Sequence, residues 1–185
     1  MNIEYLNISR RVGLLDLFKE KGFGIGVEIG TDRGGYAQNI MDRIPFVELY
    51  TLDPYIPYNE GDEVKDAEKM KEIEADARNT LSKYPNCAIL KTTSMEAVKL
   101  FEDNSLDFVF IDGSHHYIDV YNDIFYWAEK IKSGGIIAGH DYKEDDYKGY
   151  GVIQAVNEYC KDNNIETLYI LKKGGFVPCW MFYKV

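Results

Sequence analysis

Residues 106–142, LDFVFIDGSHHYIDVYNDIFYWAEKIKSGGIIAGHDY, constrain the fold more than any other stretch. Two short apolar runs, Leu106–Ile111 and residues 135–139, have the length of buried strands. Between them Tyr117, Val120, Tyr121, Ile124, Trp127, Ala128 and Ile131 recur with the 3.6-residue period of a helix. Strand, helix, strand at this spacing is a βαβ unit, whose strands run parallel and, as neighbours, lie about 5 Å apart. Each strand runs out into titratable residues: Asp112, Ser114, His115 and His116 after the first, His140 and Asp141 after the second. Ligands of open α/β sheets gather at the carboxyl ends of the strands. This unit, which holds all 3 histidines of the protein, is therefore expected to carry much of a site.

The rest of the chain repeats the pattern. Residues 8–21 read as a helix at the sheet edge, with Leu14, Leu15 and Phe18 on its apolar face and Lys21-Gly22 at its end. Residues 25–30, IGVEIG, read as a strand entering the turn Thr31-Asp32-Arg33-Gly34-Gly35 and then a helix to about residue 43. Strand, glycine-rich turn and helix make a nucleotide-type cradle: glycine lets the backbone approach a ligand, and the helix N-terminus offers unpaired N–H groups. The spacing is neither G-x-G-x-x-G nor a G-K-[ST] loop. Glu28, two residues before Gly30, would repel a pyrophosphate and suit a cationic ligand. A second strand, 47–52, ends at Asp53, where an acid can accept hydrogen bonds from both hydroxyls of a ribose. A charged, solvated helix is expected over 61–83 and a strand over 87–91. Thr92, Thr93 and Ser94 follow at the same face, where they could border a purine ring, with Ser94 capping a helix over 95–101. The polar, aromatic-dotted segment 142–150 suits an acceptor-holding loop or lid. After a helix over 152–161, Thr167–Leu171 and residues 176–183 flank Lys172-Lys173-Gly174-Gly175, a β-hairpin that adds an antiparallel strand. No repeat or linker interrupts residues 1–185, which read as one domain.

Composition removes several classes of function. The formal net charge of −10 argues against nucleic acid, which is bound through clustered Lys and Arg. The apolar runs are too short to span a membrane, and the N-terminus lacks the layout of a signal peptide. Cys87, Cys160 and Cys179 show no metal spacing and fit reduced thiols in a cytoplasmic protein. The sequence admits a homo-oligomer without specifying one.

Taken together, the βα steps, the E-x-G turn, the acid after the second strand and the closing hairpin resemble a class I S-adenosylmethionine-dependent methyltransferase. The pair IDGSHHY and GGIIAGHDY is similar to a branch of small-molecule O-methyltransferases that includes the macrolide-sugar enzymes. The resemblance implies an α/β, three-layer Rossmann-like fold whose mostly parallel seven-stranded sheet has a C-terminal antiparallel strand. It implies S-adenosylmethionine contacts at Glu28, Gly30, Thr31, Gly34, Asp53, Thr93, Ser94 and Asp112. In that branch the D-G-S-H aspartate and two residues ending the next strand hold a divalent cation, which makes Asp112, His140 and Asp141 candidate ligands for Mg²⁺ or Mn²⁺. His115 becomes the candidate base, and the acceptor a small molecule or sugar hydroxyl. His140 departs from that branch, which shows an acid there. Two other classes compete. A nicotinamide-dependent oxidoreductase predicts G-x-G-x-x-G and pyrophosphate space; an accessory protein would bind the cofactor without chemistry.

Overall fold

The computed structural model describes residues 1–60, 63–143, 150–173 and 177–185. In chain order they form β1 (Asn2–Leu6), a π-helical turn (Arg10–Leu14) running into α1 (Leu15–Glu20), β2 (Ile25–Ile29), α2 (Gly35–Arg43) and β3 (Glu48–Leu52). A small hairpin, β4 (Tyr58–Glu60) and β5 (Glu63–Lys65), precedes α3 (Ala67–Leu81), β6 (Cys87–Leu90) and α4 (Ser94–Ala97). Then come β7 (Leu106–Ile111), α5 (Tyr117–Lys130), β8 (Ile131–Gly139), α6 (Val152–Asp162), β9 (Thr167–Leu171) and β10 (Cys179–Tyr183).

The main sheet has eight strands in the order β1-β9-β10-β8-β7-β2-β3-β6. β10 is antiparallel to both its neighbours, and the remaining pairings are parallel. The expected antiparallel C-terminal strand is present, inserted between β8 and β9 rather than at an edge. The expected count of seven becomes eight because β1 adds to β9 from Asn2↔Thr167 to Leu6↔Leu171. β1, NIEYL, is short and mostly exposed, so no buried-strand run marks it. Gly174 and Gly175 of the expected hairpin turn lie outside the described residues.

Alternation along the central strands fills two cores. Phe108, Phe110, Ile136 and Ala138 face α1 and α2, against Phe18, Tyr36, Ile40 and Met41. Val109, Ile111 and Ile137 face α5 and α6, against Ile124, Trp127, Val156 and Tyr159. A period-2 strand covered on both faces reads as a continuous apolar run, hence LDFVFI. The helix expected at the sheet edge instead lies on the sheet face, where Phe18 stacks on Phe108 at a centroid distance of 4.4 Å. The charged helix starts at Ala67, six residues later than expected, because Asp66 accepts from Lys69 N–H at 2.8 Å and sets its N-cap. The acceptor loop, 142–150, is outside the described residues over 144–149.

Gly26 in β2 shows how tightly the strands close. A Cβ there would lie 2.2 Å from the Phe108 ring, which the α1 face holds in place. Gly26→Ala should therefore cost about 1–3 kcal/mol through overpacking. Urea denaturation checks this; an unchanged midpoint would mean that the ring has room to move.

Candidate active site

Strand register assembles the site. Leu52 of β3, Ile29 of β2, Ile111 of β7 and Gly139 of β8 are successive partners in one row. The next residue of each strand is Asp53, Gly30, Asp112 or His140. Their N–H groups continue the ladder: Gly30 N–H donates to Leu52 O (2.9 Å), Asp112 N–H to Ile29 O (2.8 Å) and His140 N–H to Ile111 O (3.0 Å). Above this row lies a cleft of about 830 Å³, within the size range of small-molecule sites. Gly30, Asp53, Thr93, Ser94, Asp112, His115, His140 and Asp141 all line it.

Close backbone approach dictates the glycine. Gly30 has φ +94°, and a Cβ on it would lie 2.1 Å from the Asp112 carbonyl oxygen. Asp53 is oriented by two backbone donors, Asp32 N–H at 3.0 Å and Tyr55 N–H at 2.8 Å, one on each carboxylate oxygen. Burial raises its pKa, and those two donors oppose the rise.

Thr93, not Ser94, occupies the N-cap of α4, its N–H and hydroxyl both reaching the Glu96 carboxylate. Ser94 is freed for a different task. Its hydroxyl donates to Asp123 Oδ1 (2.5 Å) and accepts from Trp127 Nε1–H (2.7 Å). Asp123 lines the cleft, and burial pushes its carboxyl up to about 7 despite the Ser94 hydrogen bond. Sequence reasoning missed Asp123, although a carboxylate inside the buried stripe of Val120, Ile124 and Trp127 is a visible signal.

At the other end, β8 stops at Gly139 and Asp141 takes φ +56°, so the strand's alternation no longer separates His140 from Asp141. His140 Nδ1 lies 2.8 Å from Asp141 Oδ2 and 3.4 Å from Asp112 Oδ1. His115 Nε2 reaches Asp141 Oδ2 at 3.0 Å, and its ring stacks on Tyr150 at 4.4 Å. Burial pulls the His140 pKa down, but the hydrogen bonds and charges of Asp112 and Asp141 prevail and raise it to about 9. Burial likewise opposes ionisation of Asp141, yet His115 and His140 hold its carboxyl well below the usual range. One ligand atom each from Asp112, His140 and Asp141 lies within 4.8 Å of the others. The His140 Nδ1 separations of 2.8 and 3.4 Å are those of neighbouring ligands around an ion with bonds of about 2.1 Å, so the donor types and this spacing fit a candidate divalent-cation site.

Glu28, Thr31 and Gly34 do not line the cleft. Glu28 and Thr31 are buried beneath it, in a chain of hydroxyls: Thr31 Oγ1 lies 2.6 Å from Thr51 Oγ1, which donates to Glu28. Gly34 is the left-handed N-cap of α2 (φ +79°), packed against Leu81. A further lining residue, Arg10, binds Asp112 Oδ2 through Nη1 at 2.9 Å.

A mostly parallel sheet with an inserted antiparallel strand, covered on both faces and carrying its cleft at the strand ends, defines the Rossmann-like methyltransferase fold. Solved structures agree. The O-methyltransferase TomG from Streptomyces achromogenes, in complex with S-adenosylmethionine, superposes with a TM-score of 0.67 at 11% identity over 93% of this chain and 78% of that one. The N-methyltransferase NodS from Bradyrhizobium japonicum gives a TM-score of 0.64 at 12% identity, over 95% of this chain and 94% of that one. The family model described as Methyltransferase domain matches residues 27–142, from β2 to just past β8, and the chain belongs to that family. An uncharacterized protein of Acanthamoeba polyphaga mimivirus is 29% identical over 140 residues, 74% of this chain and 59% of that protein. An uncharacterized protein of Sinorhizobium fredii is 35% identical over 66 residues, 36% of this chain and 7% of that protein. The chain thus spans under two thirds of the length of these relatives. No helix among the described residues is long and apolar enough to cross a membrane.

The buried Glu28 gives stability a pH dependence. Burial pushes its pKa up from 4.5 to about 8, so between these values the folded state holds a proton that the unfolded state has lost. Stability from this group is present below pH 4.5 and is lost as pH rises through about 8. The slope from one such proton is at most about 1.4 kcal/mol per pH unit. Glu28→Gln should flatten the decline between pH 6 and pH 8 in chemical denaturation. A variant with the slope of the wild type would mean that Glu28 is ionised in the folded protein.

Proposed function

We propose that the protein is an enzyme that transfers a methyl group from S-adenosylmethionine to a hydroxyl of a small molecule. The observation that carries this reading is the Asp141–His115 pair at one end of a cleft whose other end holds a ribose-type acid, Asp53. The purine would lie by Thr93, Ser94 and Asp123, the ribose at Asp53 and the amino-acid end over Gly30 and Asp112. These groups fit the cofactor because Asp53, oriented by two backbone donors, and the side-chain-free turn at Gly30 line one cleft with Asp112. Its sulfonium supplies an activated methyl carbon. The protein must align the acceptor oxygen with that carbon, exclude water and remove one proton.

His115 serves the last task. With its proton on Nε2, the ring donates to the ionised Asp141, the tautomer suited to taking a second proton as the acceptor reacts. Asp141 orients the ring and stabilises the imidazolium that results. Asp112, His140 and Asp141 would hold Mg²⁺ or Mn²⁺, which lowers the pKa of a bound hydroxyl. His140 would ligate such an ion only in its neutral form, having given up its proton. A polyanionic acceptor is disfavoured by the carboxylates that line the cleft, and the absence of G-x-G-x-x-G disfavours a nicotinamide dinucleotide. The same reading takes residues 1–185 as one domain working in the cytoplasm.

Calorimetry with S-adenosylhomocysteine and NAD tests the cofactor: the first should bind and the second should not. Asp53→Ala should weaken S-adenosylhomocysteine by about 1.5–3 kcal/mol, the scale of charge-assisted hydrogen bonds. Unchanged affinity in a folded variant would remove Asp53 from the ribose site.

Methyl transfer to a panel of vicinal diols and free sugars tests the chemistry. His115→Ala should retain cofactor affinity and lose about 10²–10⁴-fold in kcat. Chelation should also lower the rate; full activity in chelator would leave His115 as base without a metal.

A further inference from the structure

The cleft is lined by far more anions than cations. Among the described residues six carboxylates face it, those of Asp32, Asp53, Asp112, Asp119, Asp123 and Asp141. Against them stand only two side chains of permanent positive charge, Arg10 and Lys65. S-adenosylmethionine is itself a zwitterion at one end, with an ammonium and a carboxylate on one carbon. The ammonium suits this wall and the carboxylate does not.

The two cations sit at different ends. Lys65 Nζ lies 3.5 Å from Asp32 Oδ1, whose N–H binds Asp53, so it belongs to the ribose end. Arg10 lies at Asp112, two strands away from Asp53 across the row, roughly 10 Å at ordinary strand spacing. That is the distance from ribose to amino acid in an extended cofactor. Arg10 is also anchored independently of Asp112. Its carbonyl accepts from the Tyr36 hydroxyl (3.1 Å), and its guanidinium lies over the Tyr36 ring, 5.2 Å from the centroid. Each partner of the Arg10–Asp112 ion pair is only 22% exposed, so neither charge is well solvated alone.

We propose that Arg10 recognises the carboxylate of the cofactor's amino-acid end, the Arg10–Asp112 pair opening to admit a zwitterion between its halves. This inference rests on the cofactor reading above and deepens it. Asp112 Oδ2, now held by Arg10, takes the ammonium, while the carboxylate takes the guanidinium. One ion pair becomes two, and both buried charges stay paired. Asp112 Oδ1 keeps its position towards His140 throughout. A planar guanidinium suits the carboxylate because it can donate two parallel hydrogen bonds.

Decarboxylated S-adenosylmethionine isolates the group in question, since it keeps the sulfonium and the amine and lacks only the carboxylate. Affinities of both ligands are measured by calorimetry in chelator, for the wild type, Arg10→Met and Arg10→Lys. The wild type should prefer S-adenosylmethionine by about 10–100-fold, the range of a charge-assisted pair. Arg10→Met should abolish that preference without weakening the decarboxylated ligand, and Arg10→Lys should keep part of it. Thermal melts confirm that each variant is folded. Equal losses for both ligands would assign Arg10 a structural role and overturn the proposal, as would a preference that survives in Arg10→Met. A folded wild type that binds neither ligand nor S-adenosylhomocysteine would instead overturn the cofactor reading itself.

Discussion

The cleft depends on one ladder of main-chain hydrogen bonds. The N–H groups of Gly30, Asp53, Asp112 and His140 each donate to a neighbouring strand one step beyond the paired ends. Because the strands are parallel and in register, the first residues to leave the sheet do so side by side. A slip of one residue in any strand would turn its side chains to the opposite face of the sheet and scatter the row. The two apolar layers prevent such slips: Phe108 and Phe110 fit only the α1–α2 side, Val109 and Ile111 only the α5–α6 side. Chemical precision at the cleft is thus inherited from packing beneath it.

Electrostatics divides the row into two regimes. At the β8 end, carboxylates and imidazoles neutralise one another, so Asp141 is ionised and His140 charged. On the purine side and beneath the turn, burial outweighs the hydrogen bonds of Asp123 and Glu28, and for Glu28 the charge of Arg10 as well, and lifts both acids towards neutrality. Two kinds of carboxyl result from the same residue types, one set able to hold positive charge and the other able to donate a hydrogen bond. The difference lies in the company each acid keeps.

How much of this was legible in the sequence follows from the range of the interactions. The βαβ unit of β7, α5 and β8 was readable because period and length are local properties, and the row of Asp112, His140 and Asp141 followed from it. So did the E-x-G turn and Asp53. β1 was not readable as a strand, since Ile3 and Tyr5 alternate with Asn2 and Glu4 over only five, mostly exposed residues. Nor was the hairpin of β4 and β5, hidden in a stretch whose charges read as helix. Arg10 was out of reach because its partner Asp112 lies 102 positions away. Glu28 was expected at the cofactor, but what it touches depends on the depth of the turn above it, which spacing does not convey. Ser94 was expected as a cap, and its bond to Asp123 shows how a helix packed across the turn can claim a hydroxyl that local sequence assigns elsewhere.

The placement of β10 has a consequence for the order in which the chain is made. β1 pairs only with β9, and β9 reaches the rest of the sheet only through β10. β1, the earliest of these strands in the chain, therefore waits for partners that emerge after nearly all the other strands described. Until β10 slots between β8 and β9, the β8 edge stands open and the β1–β9 pair has nothing to join. Closure of such distant contacts is slow because long loops must be ordered first. On the ribosome, the central strands β2, β3, β6, β7 and β8 can settle early, and this sheet is sealed when β10 enters between β8 and β9.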